Sequence, residues 1–137
     1  MNTLKRAIIV VSFAIIAIWA FLFLQGRHEM SRRVHQVKDI LLASKLYSLD
    51  HSGQMPAAFD ELASLRSKWD GHIYYDRTSW SGGFLQRASR ELEFVSPDAT
   101  SKSDPFLALV RERSPDSHGR RVVGYGDMST RIVQENH

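Results

Sequence analysis

Three short stretches of the sequence place an acid, a small residue and a histidine side by side: Asp50-His51-Ser52, Asp70-Gly71-His72 and Asp116-Ser117-His118. Acid, histidine and serine could act as orienter, base and nucleophile in a hydrolase, but the fold must bring those groups together, with the nucleophile in a constrained turn. The same residue types are also those from which turns are built. We interpret all three stretches as polar turns and predict no catalytic residue and no enzymatic activity.

An aromatic group in the middle of the chain is a second candidate for function: Trp69, Tyr74, Tyr75, Trp80 and Phe84. Tryptophan and tyrosine dominate the energetic centres of protein interfaces. In a small domain such residues more often complete the core. We favour the core, and an interface remains the alternative.

Residues 122–129 read VVGYGDMS and contain the VGYGD with which potassium-channel selectivity filters end. A filter of that kind lines a pore at membrane depth with backbone carbonyls and needs a second spanning helix beyond it. Only residues 130–137 follow the match, and the residues before it, RERSPDSHGRR, are too charged to enter a bilayer. We therefore interpret the segment as part of a glycine-punctuated β-hairpin.

The first element predicted along the chain is an apolar helix. Residues 7–24, AIIVVSFAIIAIWAFLFL, carry no charge and a single hydroxyl, Ser12. As a helix these 18 residues would measure about 27 Å, close to the ~30 Å hydrocarbon core of a bilayer. The apolar cores of cleaved signal peptides are shorter, about 7–15 residues. We predict a retained membrane anchor, with a removed signal as the alternative.

Charge leaves the orientation of that anchor open and excludes one class of partner. Lys5 and Arg6 precede the run, whereas several basic residues follow it, so the positive-inside rule alone would place the C-terminal part in the cytoplasm. Without Lys5 and Arg6, 16 basic residues face 15 acidic ones, and this near-neutral balance gives no basic field for a nucleic acid. The arginines after the run, Arg27, Arg32 and Arg33, suit anionic headgroups.

After the anchor the periodicity is helical and then becomes that of strands. Residues 29–51 contain neither proline nor glycine and predict a helix that ends at a left-handed Gly53, and Pro56 opens a second, short helix. Alternating segments follow at residues 73–75, 92–94, 106–110, 122–125 and 131–133, separated by turn formers. Helices followed by strands predict an α+β fold, a long N-terminal helix packed on a small antiparallel sheet. The predicted core comprises Leu42, Leu46, Leu49, Phe59, Leu62, Leu65, Tyr75, Phe94, Leu107 and Val123.

Two segments resemble type IV pilin-like and type II secretion pseudopilin-like proteins. In that family a long helix ends at a tyrosine, a polar turn with glycine follows, and a proline precedes a short helix that opens with acids. The matching residues here are Tyr47, Asp50, His51, Gly53, Pro56, Asp60, Glu61 and Leu62. The C-terminal part resembles the family's closing hairpin, at Gly119, Val122, Val123, Asp127 and residues 131–133.

The chain also departs from the family. Filament-forming members carry a basic leader that ends in glycine and a glutamate inside the apolar run, and MNTLKRAIIVVSFAI has neither. Prepilin processing and the charge pairing used in filament assembly are therefore not expected. In the closing turn, Met128 and Ser129 replace a Gly-His pair.

The resemblance implies an uncleaved anchor in the bacterial inner membrane, with the N-terminus in the cytoplasm and the C-terminal domain in the periplasm. Since some members of the family bind a cation through loop carboxylates, Asp98, Asp104 and Asp116 are the residues that could supply oxygen ligands here. No loop has the spacing of an EF-hand, and we predict no metal site and no cofactor.

The domain organisation that we predict is a short tail at 1–6, a transmembrane helix at 7–26, a helical stalk at 27–53 and a pilin-like globular domain at 54–137. The predicted function is that of a membrane-anchored, non-enzymatic structural or interaction protein related to a secretion or pilus-type assembly. Its partners would be the lipid bilayer and other membrane or pilin-like subunits, self-association included, and no nucleic acid. The alternative is a membrane-tethered periplasmic ligand-binding or enzymatic domain.

Overall fold

A computed structural model describes residues 3–68 and 83–135 and confirms the predicted α+β class. The chain forms two compact units, residues 1–33 and 34–137. The described helices are α1 (Thr3–Asp50), α2 (Phe59–Lys68) and α3 (Phe84–Glu91), and the strands are β1 (Leu92–Phe94), β2 (Ala108–Glu112), β3 (Arg120–Tyr125) and β4 (Thr130–Gln134).

The four strands form one antiparallel meander in the order β1-β2-β3-β4. Every strand pairs with the one next to it in sequence, as hairpin connections allow. In the last hairpin Val122 lies opposite Ile132 and Gly124 opposite Thr130, and a β-bulge between Ala108 and Val110 shifts the register of β2. The strand β3 continues through Tyr125, and the chain turns at residues 126–129 before β4 begins.

Helix α1 ends at a left-handed Gly53, as predicted. The N–H of Gly53 donates a 2.7 Å hydrogen bond to the carbonyl of Ser48, and Gly53 has φ +89°. Such a left-handed residue satisfies a carbonyl that the helix end would otherwise leave unpaired. Ser52 precedes it with φ 55°, so two left-handed residues turn the chain.

The buried face of α1 within residues 34–50 differs from the one that we predicted. It carries Val37, Ile40, Leu41, Ser44 and Ser48, which repeat at the three- and four-residue spacing of a helix. The predicted core leucines lie on another side of the helix: Leu42 and Leu46 are half-buried, and Leu49 is 72% exposed, so its placement in the core was wrong.

The two serines on this face keep their hydroxyls satisfied within the helix. Ser44 donates a 2.7 Å hydrogen bond to the carbonyl of Ile40, and Ser48 donates one of 2.7 Å to the carbonyl of Lys45. An unpaired buried hydroxyl would cost about 1–3 kcal/mol. Because the partner carbonyls belong to α1 itself, these hydroxyls need no polar partner from another element.

Helix α1 and the sheet are in close contact at Gly124 of β3. A Cβ atom built on Gly124 would lie 2.7 Å from Leu41 Cδ1 and 2.8 Å from Val37 Cγ1. Real Cβ atoms do not make contacts that short, so only glycine lets the strand backbone approach the helix to this distance. Val110 and Val122, on β2 and β3, are fully buried.

Helix α2 contributes three residues to the core, as predicted. Phe59, Leu62 and Leu65 are buried, and the rings of Phe59 and Phe94 lie 4.7 Å apart. The helix begins at Phe59 instead of near Pro56, because the N–H of Met55 already donates to the carbonyl of Ala99 and holds the chain extended there. Of the remaining predicted core residues, Val123 is buried, Phe94 and Leu107 are half-buried, and Tyr75 lies outside the described residues.

Helix α3 was not predicted. It packs against α2, buries Ala88, and passes directly into β1, whose first residue, Leu92, is also buried. Leu85, Ala88 and Leu92 are spaced three and four residues apart, which is the helical signal that the sequence contains.

We expect Gly124→Ala to lower the free energy of unfolding by about 1–3 kcal/mol, because the new methyl group overpacks the helix–sheet contact. Urea denaturation of the full-length chain in detergent, followed by near-UV circular dichroism, measures the change. Gly26→Ala is the matched control, since a Cβ there meets nothing within 4 Å. In a Val37→Ala background, which removes one of the opposing methyl groups, the cost of Gly124→Ala should fall; an unchanged cost in that background would contradict the contact.

Candidate membrane-anchoring segment

The surface of α1 from Ile8 to Leu24 is apolar and exposed on all sides. Every residue in this range is exposed, and the largest side chain, Trp19, is 73% exposed. A helix within a soluble core would bury at least one face, whereas a helix that is apolar all round suits a lipid surrounding. By length and composition, α1 can cross a membrane, and none of its most apolar stretch is buried in the protein.

The backbone groups and the hydroxyl of this segment are satisfied without water, as a hydrocarbon environment requires. Its backbone hydrogen bonds lie within the helix. Its one hydroxyl, on Ser12, donates a 2.9 Å hydrogen bond to the carbonyl of Ile8. The segment therefore presents to its surroundings almost only carbon and hydrogen.

Charged residues resume directly after the apolar segment. Arg27 is exposed, and Arg32 forms an exposed ion pair with Glu29, with 2.7 Å between Nη2 and Oε1. The hydrogen bond from Arg32 is the main reason that the pKa of the Glu29 carboxyl is lowered. An exposed pair one helical turn apart contributes at most about 1 kcal/mol, so this cluster marks a polar boundary more than it stabilises the helix.

The acid–histidine stretches within the described residues form turns. The His51 ring stacks on Tyr47 at 3.7 Å between centroids, and its Nδ1 lies 2.8 Å from the Tyr47 carbonyl. Asp116 accepts hydrogen bonds from the backbone N–H groups of His118 and Arg120 and pairs with the Arg120 guanidinium at 2.9 Å. The stretch 70–72 lies outside the described residues.

The three aspartates named as oxygen ligands occupy separate local structures. Asp104 accepts a 2.9 Å hydrogen bond from the backbone N–H of Phe106, Asp116 is engaged by Arg120, and Asp98 is exposed. In residues 3–68 and 83–135, no three histidine, aspartate or glutamate side chains form a group that could hold a metal ion.

Besides Glu29, three carboxyl or phenol groups in the described residues have shifted pKa values, each for a local reason. Burial raises the pKa of Asp39, with the charge of His35 opposing it, and burial together with Glu61 raises the pKa of Tyr47. Hydrogen bonds from Ser129 lower the pKa of Asp127 in the last hairpin turn. Packing and turn geometry thus account for all three shifts.

Most of the predicted aromatic group lies outside the described residues; Phe84 is half-buried at the start of α3. A different aromatic cluster, which the sequence did not reveal, lies at the last hairpin. The Arg131 guanidinium sits 5.2 Å from the Tyr125 ring centroid and 6.0 Å from that of Phe106, which is 63% exposed. Arginine over aromatic rings at such distances gains about 0.5–1 kcal/mol at an exposed site.

Hydrogen bonds between loops bring this cluster together. The N–H of Gly126 donates to the carbonyl of Leu107 at 3.0 Å, and that of Asp127 donates to the carbonyl of Pro105 at 2.7 Å. A Cβ on Gly126 would lie 3.1 Å from the Asp104 carbonyl oxygen, so glycine permits the close approach. No sequence spacing signals a contact of this kind.

No family model, no curated protein and no solved structure matches this chain. The long N-terminal apolar helix and the four-stranded antiparallel sheet are consistent with a pilin-like architecture.

We expect the double substitution Ile15→Arg and Ile16→Arg, at the centre of the apolar segment, to abolish membrane insertion. Each arginine at a helix centre costs about 2.5–3.5 kcal/mol on insertion scales. Alkaline carbonate extraction of membranes should move the variant from the pellet to the supernatant. The matched control, Ile15→Leu with Ile16→Leu, should stay in the pellet; an arginine variant that also stays there would contradict the assignment.

Proposed function

We propose that this protein is a membrane-anchored, pilin-like or pseudopilin-like structural or interaction protein that serves a secretion or pilus-type assembly. The observation that carries the proposal is that one helix, α1, has an apolar segment exposed on all sides at residues 8–24 and a buried apolar face within residues 34–50. Residues 8–24 supply the anchor, and the face of α1 that holds Val37 and Leu41 supplies the core of the domain.

The anchor is retained in this proposal. The uncharged run is longer than the apolar core of a cleaved signal, and α1 continues without a break past it to Asp50. Cleavage within or just after the run would leave the domain without its membrane tether. The intact mass of the purified protein tests this point, since a retained anchor gives the mass of the full chain.

The topology follows from the pilin-like resemblance: the N-terminus lies in the cytoplasm and the domain in the periplasm of a bacterial inner membrane. The residues that support the resemblance lie in structures of the expected type. Asp50 ends α1, Gly53 is left-handed, Asp60 and Glu61 lie in the first turn of α2, and the closing hairpin is formed by β3 and β4. Met128 has φ 68°, a conformation that favours the glycine found there in the family.

We expect an alkaline phosphatase fusion at His137 to be active and a green fluorescent protein fusion at the same residue, exported unfolded, to be dark. A periplasmic domain gives this pattern because alkaline phosphatase needs the oxidising compartment. The reverse pattern, with activity only in the cytoplasm, would overturn the proposed topology. In-membrane crosslinking with mass spectrometry should recover secretion or pilus components.

The alternative of a ligand-binding or enzymatic domain makes a different prediction for two sets of substitutions. If the protein acts by packing, replacing Asp50, His72 and His118 by Asn, Gln and Gln should leave the crosslinked partners unchanged. Replacing the anchor residues Ile8, Ile15 and Phe21 by Ala should reduce their yield several-fold, since each loses apolar contact area. The opposite pattern would favour a site in the acid–histidine loops.

A further inference from the structure

The two edges of the sheet differ in how they are covered. On β1 the N–H groups of Leu92 and Phe94 point away from β2, and that of Leu92 donates to the carbonyl of Ala88 at the end of α3. That edge is also only three residues long. A helix end over a short strand is one of the usual ways in which proteins protect a sheet edge.

The edge formed by β4 has no such cover in the described residues. The hairpin ladder is bounded by hydrogen bonds from Tyr125 N–H to the Ser129 carbonyl and from Glu135 N–H to the Gly119 carbonyl. Because antiparallel pairs alternate, these bonds direct the backbone groups of Arg131 and Val133 toward β3. The N–H and C=O groups of Thr130, Ile132 and Gln134 therefore point outward, and no strand in residues 3–68 or 83–135 pairs with them.

The side chains of β4 give this edge two chemically different faces. Ile132 lies opposite Val122 and shares the apolar face of the sheet, where it is 49% exposed. Arg131 lies opposite Val123 on the other face, over the Tyr125 and Phe106 rings. In the described residues, no carboxylate lies within 4.0 Å of this exposed guanidinium, and the Asp127 carboxylate is near enough to interact with its charge. An incoming carboxylate can therefore still pair with Arg131.

We propose that the outer edge of β4 is a docking site for an extended strand of a partner protein, one that alternates apolar and acidic side chains. Its apolar side chains would extend the face that holds Ile132, and a carboxylate would pair with Arg131. Main-chain hydrogen bonds supply affinity in this mode of recognition and the alternating side chains supply specificity. Exposed arginine and aromatic side chains are what interface centres are rich in.

This inference rests on the proposed function, from which it takes only that the domain works by binding other proteins. It does not depend on the topology of the anchor or on its retention. A failure of strand docking therefore leaves the fusion and extraction results standing, and a failure of those leaves the docking result standing.

The test uses the full-length protein in phosphatidylcholine nanodiscs and a fluorescein-labelled, capped seven-residue peptide that alternates valine and glutamate between terminal threonines. Fluorescence anisotropy should show saturable binding above that to empty nanodiscs. A peptide with lysine in place of glutamate should bind at least about tenfold more weakly, because it meets the charge of Arg131. Equal binding of the two peptides, or no binding of either, would overturn the proposal.

Variants at one residue separate main-chain from side-chain recognition. Ile132→Pro removes an outward N–H while leaving the ladder to β3 intact, as prolines on edge strands do. Ile132→Pro should weaken binding of the glutamate peptide at least about tenfold. Ile132→Ala, which keeps the N–H, should weaken that binding only about two- to fivefold. Far-UV circular dichroism and thermal unfolding check that both variants stay folded.

A change in the ligand keeps the test decisive even if Ile132→Pro unfolds. A peptide N-methylated at the valine that would face Ile132 cannot pair with the edge, and the wild-type protein should bind it at least about tenfold more weakly. Unchanged affinity would overturn the proposal. So would concentration-dependent dimers of the wild type, seen by analytical ultracentrifugation and lost in Ile132→Pro, since a second copy would then occupy the edge.

Discussion

The contact between Gly124 and the side chains of Val37 and Leu41 determines how the sheet is placed on α1. With no Cβ on the strand, the backbone of β3 lies against two helix side chains at distances that any other residue would forbid. Val110 and Val122, which share the face of the sheet that carries Gly124, are fully buried. The small residues Ser44 and Ser48 continue the same helix face without adding bulk, so the whole face stays shallow. Packing between α1 and the sheet depends on the close approach of the β3 backbone to the helix more than on large interlocking side chains.

The sequence was sufficient for the fold class because the signals involved are local. A run without proline or glycine predicts α1, Gly53 predicts its end, and the spacing of Phe59, Leu62 and Leu65 predicts the buried face of α2. The rotation of α1 could not be predicted. Residues 34–49 carry apolar side chains around most of the helix, and the sheet selects the side that Gly124 can approach, which leaves Leu49 in solvent. Helix α3 was missed because eight residues run straight into a strand without a breaker.

The candidate anchor and the candidate docking edge also differ in how far they can be predicted from the sequence. Composition alone is enough to recognise the candidate anchor, because the length and apolarity of a segment decide whether it can cross a membrane. The edge depends on which backbone groups of β4 face outward. These alternate along the strand, and the register of β3 against β4 decides which residues they belong to. The cluster of Arg131, Tyr125 and Phe106 depends in addition on the loop contact between Gly126 and Leu107. Residue spacing predicts neither the strand register nor the loop contact.

The position of Gly124 in the chain has a consequence for biosynthesis. Helix α1 is translated first, but the strand that covers Val37 and Leu41 follows only after a further 83 residues beyond Leu41. At about 5–20 residues per second, the ribosome needs about 4–17 s to supply it. Throughout that interval the helix face that becomes the core of the domain is still uncovered, and any factor that shields nascent apolar surface has this face to bind. The completion of the domain is thus tied to the emergence of its penultimate strand.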